Sequence, residues 1–391
     1  MPLYDVAISG GGPSGSYCAY RCAQAGLSTV LIERRVPPWT KVCAGGVLLR
    51  AASRLDFPLP SAIIEKEVRG LLVAGEGFRE RFRFDRGLAY TVHRPNLDTH
   101  LLGMAERAGA ELMLGDEVKV IHEGSDVELH LRSSTVRARC AVVAEGAGSG
   151  NAHRLLGPPP KDGMAMGLRS ICPTIEGPGD EIEVFFIDSP TRGIRRPPMF
   201  PLMGWMFPYR GMANLGVGGH GYSKAQLMAG MDHVLRHTSV RVASAPGPPS
   251  AHPIPIIPRP KVATRRTMLI GDSAGLVSPL SGEGLSHGLA SSILAAEAAI
   301  KLASGDKGAI LAYEDAVAST IIRDIKAAAI ISPVLHWLLG VVDTGAFFRT
   351  VGKEEEYIRA WTEMALGEET WQRLLMMTIP RFHRLFFRSL A

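Results

Sequence analysis

The sequence predicts an α/β protein (α+β overall), with a parallel-sheet unit at the amino terminus, an antiparallel, strand-rich middle and a helical carboxy-terminal region. Three observations predict this class. The chain opens with an apolar strand, a glycine turn and a helix. A second strand, a glycine-rich loop and an alanine-rich helix follow within residues 265–303. From about residue 313, the segments are rich in apolar residues and have the composition of helices.

The composition is that of a globular protein. The chain has 391 residues, of which 46% are hydrophobic and 21% are charged, and this length allows two or three domains. Its five cysteines are odd in number and irregularly spaced, and the first residues enter a strand pattern without a charged or cleavable leader. These features favour free thiols in a reducing cytoplasm, and no cysteine pair has metal-ligand spacing.

Neither a membrane span nor a nucleic-acid site is predicted. The longest nearly apolar run, residues 327–342, has 16 residues, whereas a span needs about 20. The net charge of +5 comes from scattered basic residues rather than from a binding motif. We therefore expect a protein that is not integral to the membrane and binds no nucleic acid.

The first 33 residues have the pattern of a dinucleotide-binding unit. An apolar strand covers residues 4–9, a glycine turn opens a helix that runs to about residue 25, and a second strand, 27–32, ends at Glu33. A G-x-G-x-x-G turn becomes specific when a strand precedes it, a helix follows it and an acid closes the second strand. The pattern predicts a Rossmann-type domain.

Each residue of this turn has a chemical reason to be there. Gly12 lets the backbone approach a pyrophosphate at the helix amino terminus, and Gly15 lets the helix pack closely on the strand. The Glu33 carboxylate can accept hydrogen bonds from a ribose diol. The predicted cofactor residues are Gly10, Gly12, Ser14, Gly15 and Glu33. The turn alone does not separate a nicotinamide cofactor from a flavin.

The second region makes that distinction. A strand is predicted to end at Gly271-Asp272, and a helix to begin near Leu285. Here the sequence resembles the FAD-dependent family of aromatic hydroxylases, flavin halogenases and geranylgeranyl reductases. The resemblance implies that Asp272 lies at the ribityl and pyrophosphate part of FAD. It also implies that Gly284 and Leu285 face the pyrimidine side of the isoalloxazine, where a helix amino terminus stabilises negative charge.

Further segments fit the same resemblance. Residues 144–157 are similar to the family's Ala-Asp-Gly-x-x-Ser segment, although Glu145 stands where aspartate is usual. Arg94 matches an arginine that approaches the flavin, and Val118 is implied as another cofactor contact. Alternatively, Arg94 is a surface residue paired with Asp98 one helical turn later.

A motif in the middle of the chain bears on which reaction of this flavoprotein class the protein catalyses. Trp205-x-Phe207-Pro208, followed by Gly216-x-Gly218, resembles the geranylgeranyl reductase signature, with Met203 in place of its first aromatic residue. Halogenases carry a similar motif. Trp205 and Phe207 alternate along a strand and therefore share one face, which is equally consistent with ordinary core packing.

The segment "KVCAGG" resembles a cysteine–glycine loop of the geranylgeranyl reductases. The match places Cys43, Ala44 and Gly46 at the flavin, whereas the alternative for Cys43 is a small buried side chain. The resemblance implies Cys43, Trp205 and Phe207 as catalytic candidates. The implied substrate-binding residues are Trp205, Phe207, Pro208, Gly216 and Gly218.

The implied function is a flavin-dependent reductase that saturates isolated C=C bonds of geranylgeranyl chains on a lipid or related prenylated substrate, with hydride from N5 of reduced FAD. One alternative is an FAD monooxygenase or halogenase acting on a small aromatic. The other is a non-catalytic FAD-binding scaffold. No second dinucleotide fingerprint is evident, so the electron donor is expected to be transiently bound NAD(P)H or ferredoxin.

The predicted organisation interleaves the parts. The FAD-binding domain comprises 1–58, 86–165 and 258–312, the sheet-rich substrate domain comprises 59–85 and 166–257, and a helical cap covers 313–391. Residues 373–391 contain four arginines and no acid among apolar residues, which suits either an interfacial helix or an amphipathic helix packed on the domain. The expected location is cytoplasmic, with peripheral contact at the inner face of the membrane under the first option.

Overall fold

The computed structural model describes residues 2–75, 77–132, 134–187, 199–244, 246–339, 344–366 and 370–378. Within these ranges the strands form three sheets. The strands are β1 (Leu3–Ser9), β2 (Thr29–Glu33), β3 (Gly46–Leu48), β4 (Ile64–Val68), β5 (Gly70–Gly75), β6 (Phe78–Arg83), β7 (Ala89–Val92), β8 (Glu111–Leu114), β9 (Val120–Glu123), β10 (Val127–His130), β11 (Thr135–Val143), β12 (Met164–Pro173), β13 (Glu181–Phe186), β14 (Met203–Pro208), β15 (Met212–Gly219), β16 (Ser250–Pro255) and β17 (Thr267–Leu269).

Helices connect the sheets and form the carboxy-terminal part of the described chain. They are α1 (Pro13–Gln24), α2 (Leu49–Ala52), α3 (Arg94–Arg107), α4 (Gly150–Leu156), α5 (Lys224–His237), α6 (Leu285–Ala303), α7 (Ala309–Val317), α8 (Arg323–Leu339), α9 (Thr344–Lys353), α10 (Glu355–Leu366) and α11 (Trp371–Thr378). The α/β class predicted from the sequence is confirmed, with a helical region after the sheets.

The first sheet has the order β8-β2-β1-β11-β10-β9, with β17 beside β11. Its central strands are parallel, and β9 and β10 extend it in antiparallel fashion. β2 is buried along its whole length, as expected of a parallel strand covered on both faces. α1 begins with a proline and packs against α3 and α6. The glycine turn therefore lies at the carboxyl end of β1, where open α/β sheets bind ligands.

One predicted element is shorter than expected. The strand expected to end at Gly271-Asp272 stops at Leu269, and Gly271–Ala274 forms a 3-10 turn. Gly271 has φ +56°, which a β-strand does not accommodate but glycine adopts easily. The turn directs the Asp272 side chain away from the sheet and towards the cavity described below.

The second sheet has the order β16-β12-β15-β14-β13-β5-β6. It is antiparallel except where β13 runs parallel to β5. α5, which begins with a Ser223–Gln226 capping box, packs on one face. Residues 250–255 of the proline-rich segment 246–260 form the edge strand β16, where proline is tolerated. The division of the chain into domains stays a prediction.

The carboxy-terminal helices have a small core of their own, to which Phe347, Met364, Trp371 and Leu374 contribute. Of the arginine-rich segment 373–391, only residues 373–378 are described, within α11, and the rest lies outside the described residues. No helix in the described ranges combines the length and hydropathy needed to cross a bilayer.

Candidate active site

A cavity of about 1100 Å³ lies between the two large sheets and the carboxy-terminal helices. The glycine turn after β1 and the Gly-Asp loop after β17 line one part of it. Apolar side chains from β5, β6 and β13 and from α8 to α11 line another part. The cavity thus joins the two predicted cofactor loops to an apolar compartment.

The three glycines of the G-x-G-x-x-G motif, Gly10, Gly12 and Gly15, differ in what surrounds them. A Cβ at Gly10, which has φ +111°, would lie 2.4 Å from the Ala144 carbonyl oxygen, and a Cβ at Gly15 would lie 1.9 Å from the Gly10 oxygen. These two glycines are required by packing. A Cβ at Gly12 would meet no heavy atom within 4 Å, and Gly12 lines the cavity beside Ser14. Protein packing therefore does not account for Gly12, whereas close approach of a pyrophosphate does.

Glu33 is buried at the end of β2 and does not line the cavity. Its Oε2 accepts a hydrogen bond from Gly11 N (2.8 Å) and its Oε1 accepts one from Arg35 N (3.0 Å). The carboxylate therefore anchors the glycine turn as well as closing the strand. Binding of a ribose diol by Glu33 stays a prediction.

The second cofactor loop brings charge to the same cavity. Asp272 Oδ2 lies 3.4 Å from Lys41 Nζ. Gly284 precedes the first turn of α6, where Glu283 Oε1 accepts a hydrogen bond from Ser286 N (2.7 Å), and Gly284 and Leu285 line the cavity. The amino terminus of α6 and the Asp272–Lys41 pair thus face a common space. A helix amino terminus stabilises negative charge placed near it.

The second sheet holds the Cys43 loop in place. Asn214 Nδ2 donates hydrogen bonds to the carbonyl oxygens of Cys43 (2.9 Å) and Ala44 (3.0 Å), and the Tyr209 hydroxyl also contacts the Ala44 oxygen, at 3.1 Å. Burial raises the pKa of Tyr209, so its hydroxyl keeps its proton. A Cβ at Gly46 would lie 2.5 Å from the Phe207 ring. Sequence reasoning missed Asn214 and Tyr209, although Tyr209 directly follows the Trp-x-Phe-Pro motif.

Arg94 pairs with Asp98 as the second interpretation expected, but it is not a surface residue, because its side chain is only 11% exposed. Its approach to the flavin stays a prediction. Its guanidinium forms two hydrogen bonds with Asp98, at 2.8 and 3.0 Å, and the residue also lines the cavity. Trp39 Nε1 donates to the same carboxylate at 3.1 Å. Burial alone would lower the pKa of Arg94, but Asp98 and then Cys43 outweigh burial and raise it. Arg94 is therefore a fixed positive charge beside the Cys43 thiol.

Trp205 and Phe207 face the cavity from β14, whereas Pro208 is buried and its carbonyl accepts a hydrogen bond from Thr91. Gly216 and Gly218 do not line the cavity because the Trp205 ring lies over them. A Cβ at Gly216 would sit 2.2 Å from that ring, and one at Gly218 would sit 3.4 Å from it. Because the two glycines have no side chains, the indole ring of Trp205 can pack directly over them.

Val118 lies apart from these residues. It is buried in the core of the first sheet, and its carbonyl accepts a hydrogen bond from Asn151 Nδ2 at 2.9 Å. It does not line the cavity. A contact between Val118 and the cofactor stays a prediction. The neighbouring Glu145 accepts hydrogen bonds from Ser9 (2.6 Å) and Ser149 (2.7 Å), which ties its segment to β1.

The loop between Gly271 and α6 also contributes one partner of a buried ion pair. Arg50, on α2, pairs with Glu283, and both line the cavity. Burial alone would raise the pKa of Glu283, but Arg50 and then His287 outweigh burial and lower it to about 2. His287 Nε2 in turn lies 3.6 Å from Asp324 Oδ2 on α8. These charges connect the loop to the carboxy-terminal helices.

A junction of cofactor loops with an apolar compartment is the arrangement of a flavin-dependent oxidoreductase, and the relatives agree with that class. No family model matches the chain. Menaquinone reductase of Mycolicibacterium smegmatis is 30% identical over 322 residues, which cover 75% of each chain. Chloroplastic geranylgeranyl diphosphate reductase of Arabidopsis thaliana is 28% identical over 324 residues, 76% of this chain and 65% of that protein, just under two thirds of its length. The chain belongs to the geranylgeranyl reductase family of flavoproteins.

Solved structures show the same fold. A geranylgeranyl bacteriochlorophyll reductase-like protein of Thermoplasma acidophilum matches with a TM-score of 0.80 at 19% identity, covering 97% of this chain and 99% of that one. The flavin-dependent brominase Bmp2 matches with a TM-score of 0.67 at 18% identity, covering 98% and 100%. The fold is thus shared by reductases and halogenases, and only the site can separate the two activities.

Proposed function

We propose that the protein is an FAD-dependent reductase that saturates isolated C=C bonds of geranylgeranyl chains on a lipid or related prenylated substrate. The observation that carries the proposal is the continuity of one cavity from both cofactor loops into an apolar compartment. The cavity of about 1100 Å³ includes the space at the cofactor loops, and the apolar side chains that line its other part suit a prenyl chain. The names of the reductase relatives support the same reaction.

The residues of the two loops fit FAD. The open space at Gly12 and the uncapped start of α1 suit a pyrophosphate. Asp272, held by Lys41, suits a ribityl hydroxyl, and the start of α6 suits the pyrimidine end of the ring system. When bound and reduced, the flavin supplies hydride from N5.

The chain's own residues prepare the alkene for that hydride. An isolated trisubstituted double bond has no carbonyl to polarise it, so protonation of one carbon and positive charge on the other favour its reduction. Apolar side chains such as Leu71, Val184 and Phe186 exclude water from the compartment. The faces of Trp205 and Phe207 tolerate developing positive charge. In this proposal Gly216 and Gly218 act by seating the indole.

In this proposal the proton that is added to the alkene comes from the Sγ atom of Cys43. The thiol lines the cavity, and its loop is fixed by Asn214. Replacement of Cys43 by alanine or serine is expected to slow alkene reduction while flavin reduction by dithionite is kept. Cys172→Ala, which changes a buried thiol on β12, is the control. Full alkene reduction in both Cys43 variants would remove the thiol from the chemistry.

The proposal is tested by incubating the dithionite-reduced protein with geranylgeranyl lipids and analysing the products by mass spectrometry. We expect two added hydrogens for each saturated bond. Oxygen-dependent hydroxylation or halogenation of a small aromatic, without any saturated prenyl product, would assign the alternative activity. Substituting NADPH or reduced ferredoxin for dithionite identifies the donor, and flotation with liposomes tests the proposed peripheral membrane contact.

A further inference from the structure

Three buried nitrogen atoms on the cavity side of the second sheet have no hydrogen-bond partner among the described residues. They are Trp205 Nε1, Arg169 Nε and His252 Nε2. All three side chains line the cavity. A buried donor left without a partner costs about 1–3 kcal/mol. Three of them on one surface therefore point to a ligand that accepts hydrogen bonds.

The register of the sheet brings these side chains together. Arg169 on β12 pairs with Gly216 on β15, and Gly216 pairs with Trp205 on β14. His252 on β16 pairs with Gly167, two residues from Arg169 on the same face. Because the two intervening positions are glycines, no side chain separates the three donors. They border one polar patch at the end of the sheet opposite the apolar strands β5 and β6.

Among the described residues, every Lys, Arg, Asp and Glu side chain that lines the cavity has a partner of opposite charge except Arg169. Lys41 is paired with Asp272, Arg50 with Glu283 and Arg94 with Asp98. Arg169 lines the same cavity and forms no ion pair with any residue of the described ranges. An unpaired guanidinium in a largely apolar cavity favours an anion, and its planar fork matches a phosphate or carboxylate.

His252 adds to this preference. Burial lowers the pKa of His252, and the positive charge of Lys41 lowers it further, while Asp272 opposes the shift. The imidazole is therefore neutral at neutral pH and is free to donate one hydrogen bond without adding charge repulsion. An anion bound next to Arg169 would therefore contact one positively charged group, the guanidinium, and two neutral hydrogen-bond donors, His252 and Trp205.

We propose that Arg169, His252 and the indole N–H of Trp205 form a subsite for the phosphoryl group of a prenyl substrate. This inference rests on the proposed function and deepens it. The relatives act, by their names, on a prenyl diphosphate, a prenyl glycerophospholipid or a quinone. The unpaired cation selects the phosphoryl-bearing substrates over a neutral quinone, and the apolar compartment accepts the chain.

The test measures selectivity rather than activity alone. The flavin-loaded, dithionite-reduced protein is given geranylgeranyl diphosphate, a geranylgeranyl phospholipid in vesicles, or the neutral alcohol geranylgeraniol, and kcat/KM is determined for each. Arg169→Gln is expected to lower the selectivity for either phosphoryl substrate over the alcohol about 10- to 100-fold, and Arg169→Lys to lower it less. The control is Arg241→Gln, which removes the positive charge of an exposed arginine that pairs with Glu176.

Comparison of the diphosphate with the phospholipid identifies the source of the phosphoryl group. Unchanged selectivity in Arg169→Gln would overturn the subsite. Loss of bound flavin from Arg169→Gln with unchanged selectivity would also overturn it, because Arg169 would then bind the cofactor rather than the substrate. If the wild type saturates no prenyl chain, the proposed function fails on its own. The subsite is still tested in that case by calorimetric titration with inorganic diphosphate, which should bind the wild type at least tenfold more tightly than Arg169→Gln.

Discussion

Gly12→Ala should separate cofactor binding from folding. Gly12 has φ −68° and ψ 175°, angles that alanine adopts, and its added Cβ would meet no protein atom within 4 Å. We therefore expect the flavin-free variant to be as stable as the wild type. Gly15→Ala should behave differently, because its Cβ would lie 1.9 Å from a backbone oxygen. Overpacking of that kind costs about 1–3 kcal/mol.

The loss of cofactor binding has a calculable size. A ligand present at about 100 times its Kd stabilises the folded state by about 2.7 kcal/mol. If the Gly12 methyl group weakens FAD binding about a hundredfold, the same FAD concentration contributes only about 0.4 kcal/mol. Urea unfolding with and without FAD measures both values, and Gly148→Ala, another glycine with open space around it, is the control.

Two results would refute this reasoning. A flavin-free Gly12→Ala protein destabilised as much as Gly15→Ala would show that packing, rather than a ligand, requires the glycine. An undiminished stabilisation by FAD would show that the pyrophosphate does not approach the backbone at this residue.

Three further predictions concern the surroundings of the site. The pKa of Glu283 is lowered to about 2 from an ordinary 4.5. This shift should add about 3 kcal/mol to the free energy of unfolding above pH 4.5, and that contribution should disappear as the pH falls towards 2. In urea unfolding at stepped pH, the free energy of unfolding of Glu283→Gln should therefore depend less on pH than that of the wild type. Asn214→Ala should destabilise the protein by about 1–3 kcal/mol and slow alkene reduction, because the Cys43 carbonyl loses its donor and the Ala44 carbonyl keeps only Tyr209. Calorimetric melting together with product analysis checks this. Iodoacetamide should modify Cys43 first, since the other four thiols are buried and burial raises the pKa of Cys140; peptide mass spectrometry that found Cys172 modified earlier would contradict it.

Local patterns carried most of what could be predicted. The strand–turn–helix at the amino terminus and the loop before α6 each lie within one short stretch of chain, where glycine spacing and apolar runs are direct consequences of backbone geometry. The family resemblance rested on these stretches together with the short motifs at Cys43 and Trp205, and it is confirmed by the relatives. Individual site residues such as Cys43 and Asp272 lie on the cavity, but their roles in binding and catalysis stay predictions.

The residues that sequence reasoning missed are those positioned by strand pairing. Asn214 and Tyr209 reach the Cys43 loop across more than 160 residues of chain, and no local pattern records such a contact. Arg169 and His252 lie on different strands and come together only through the register of β12 with β15 and β16. A shift of one residue in that register would turn Arg169 to the opposite face.

The sequence by itself determined the class of fold, the two cofactor loops and the family, because each depends on short-range geometry that residue type and spacing specify. Only the tertiary structure decided that Gly216 and Gly218 leave space for an indole ring and that Arg94 contacts both Asp98 and the cavity. It also decided that Arg169 has no ion-pair partner within the part of the chain that the structure describes. Those facts depend on which side chains share a face or a cavity. Burial and charge balance in that space are properties of the packed chain and not of any segment of it.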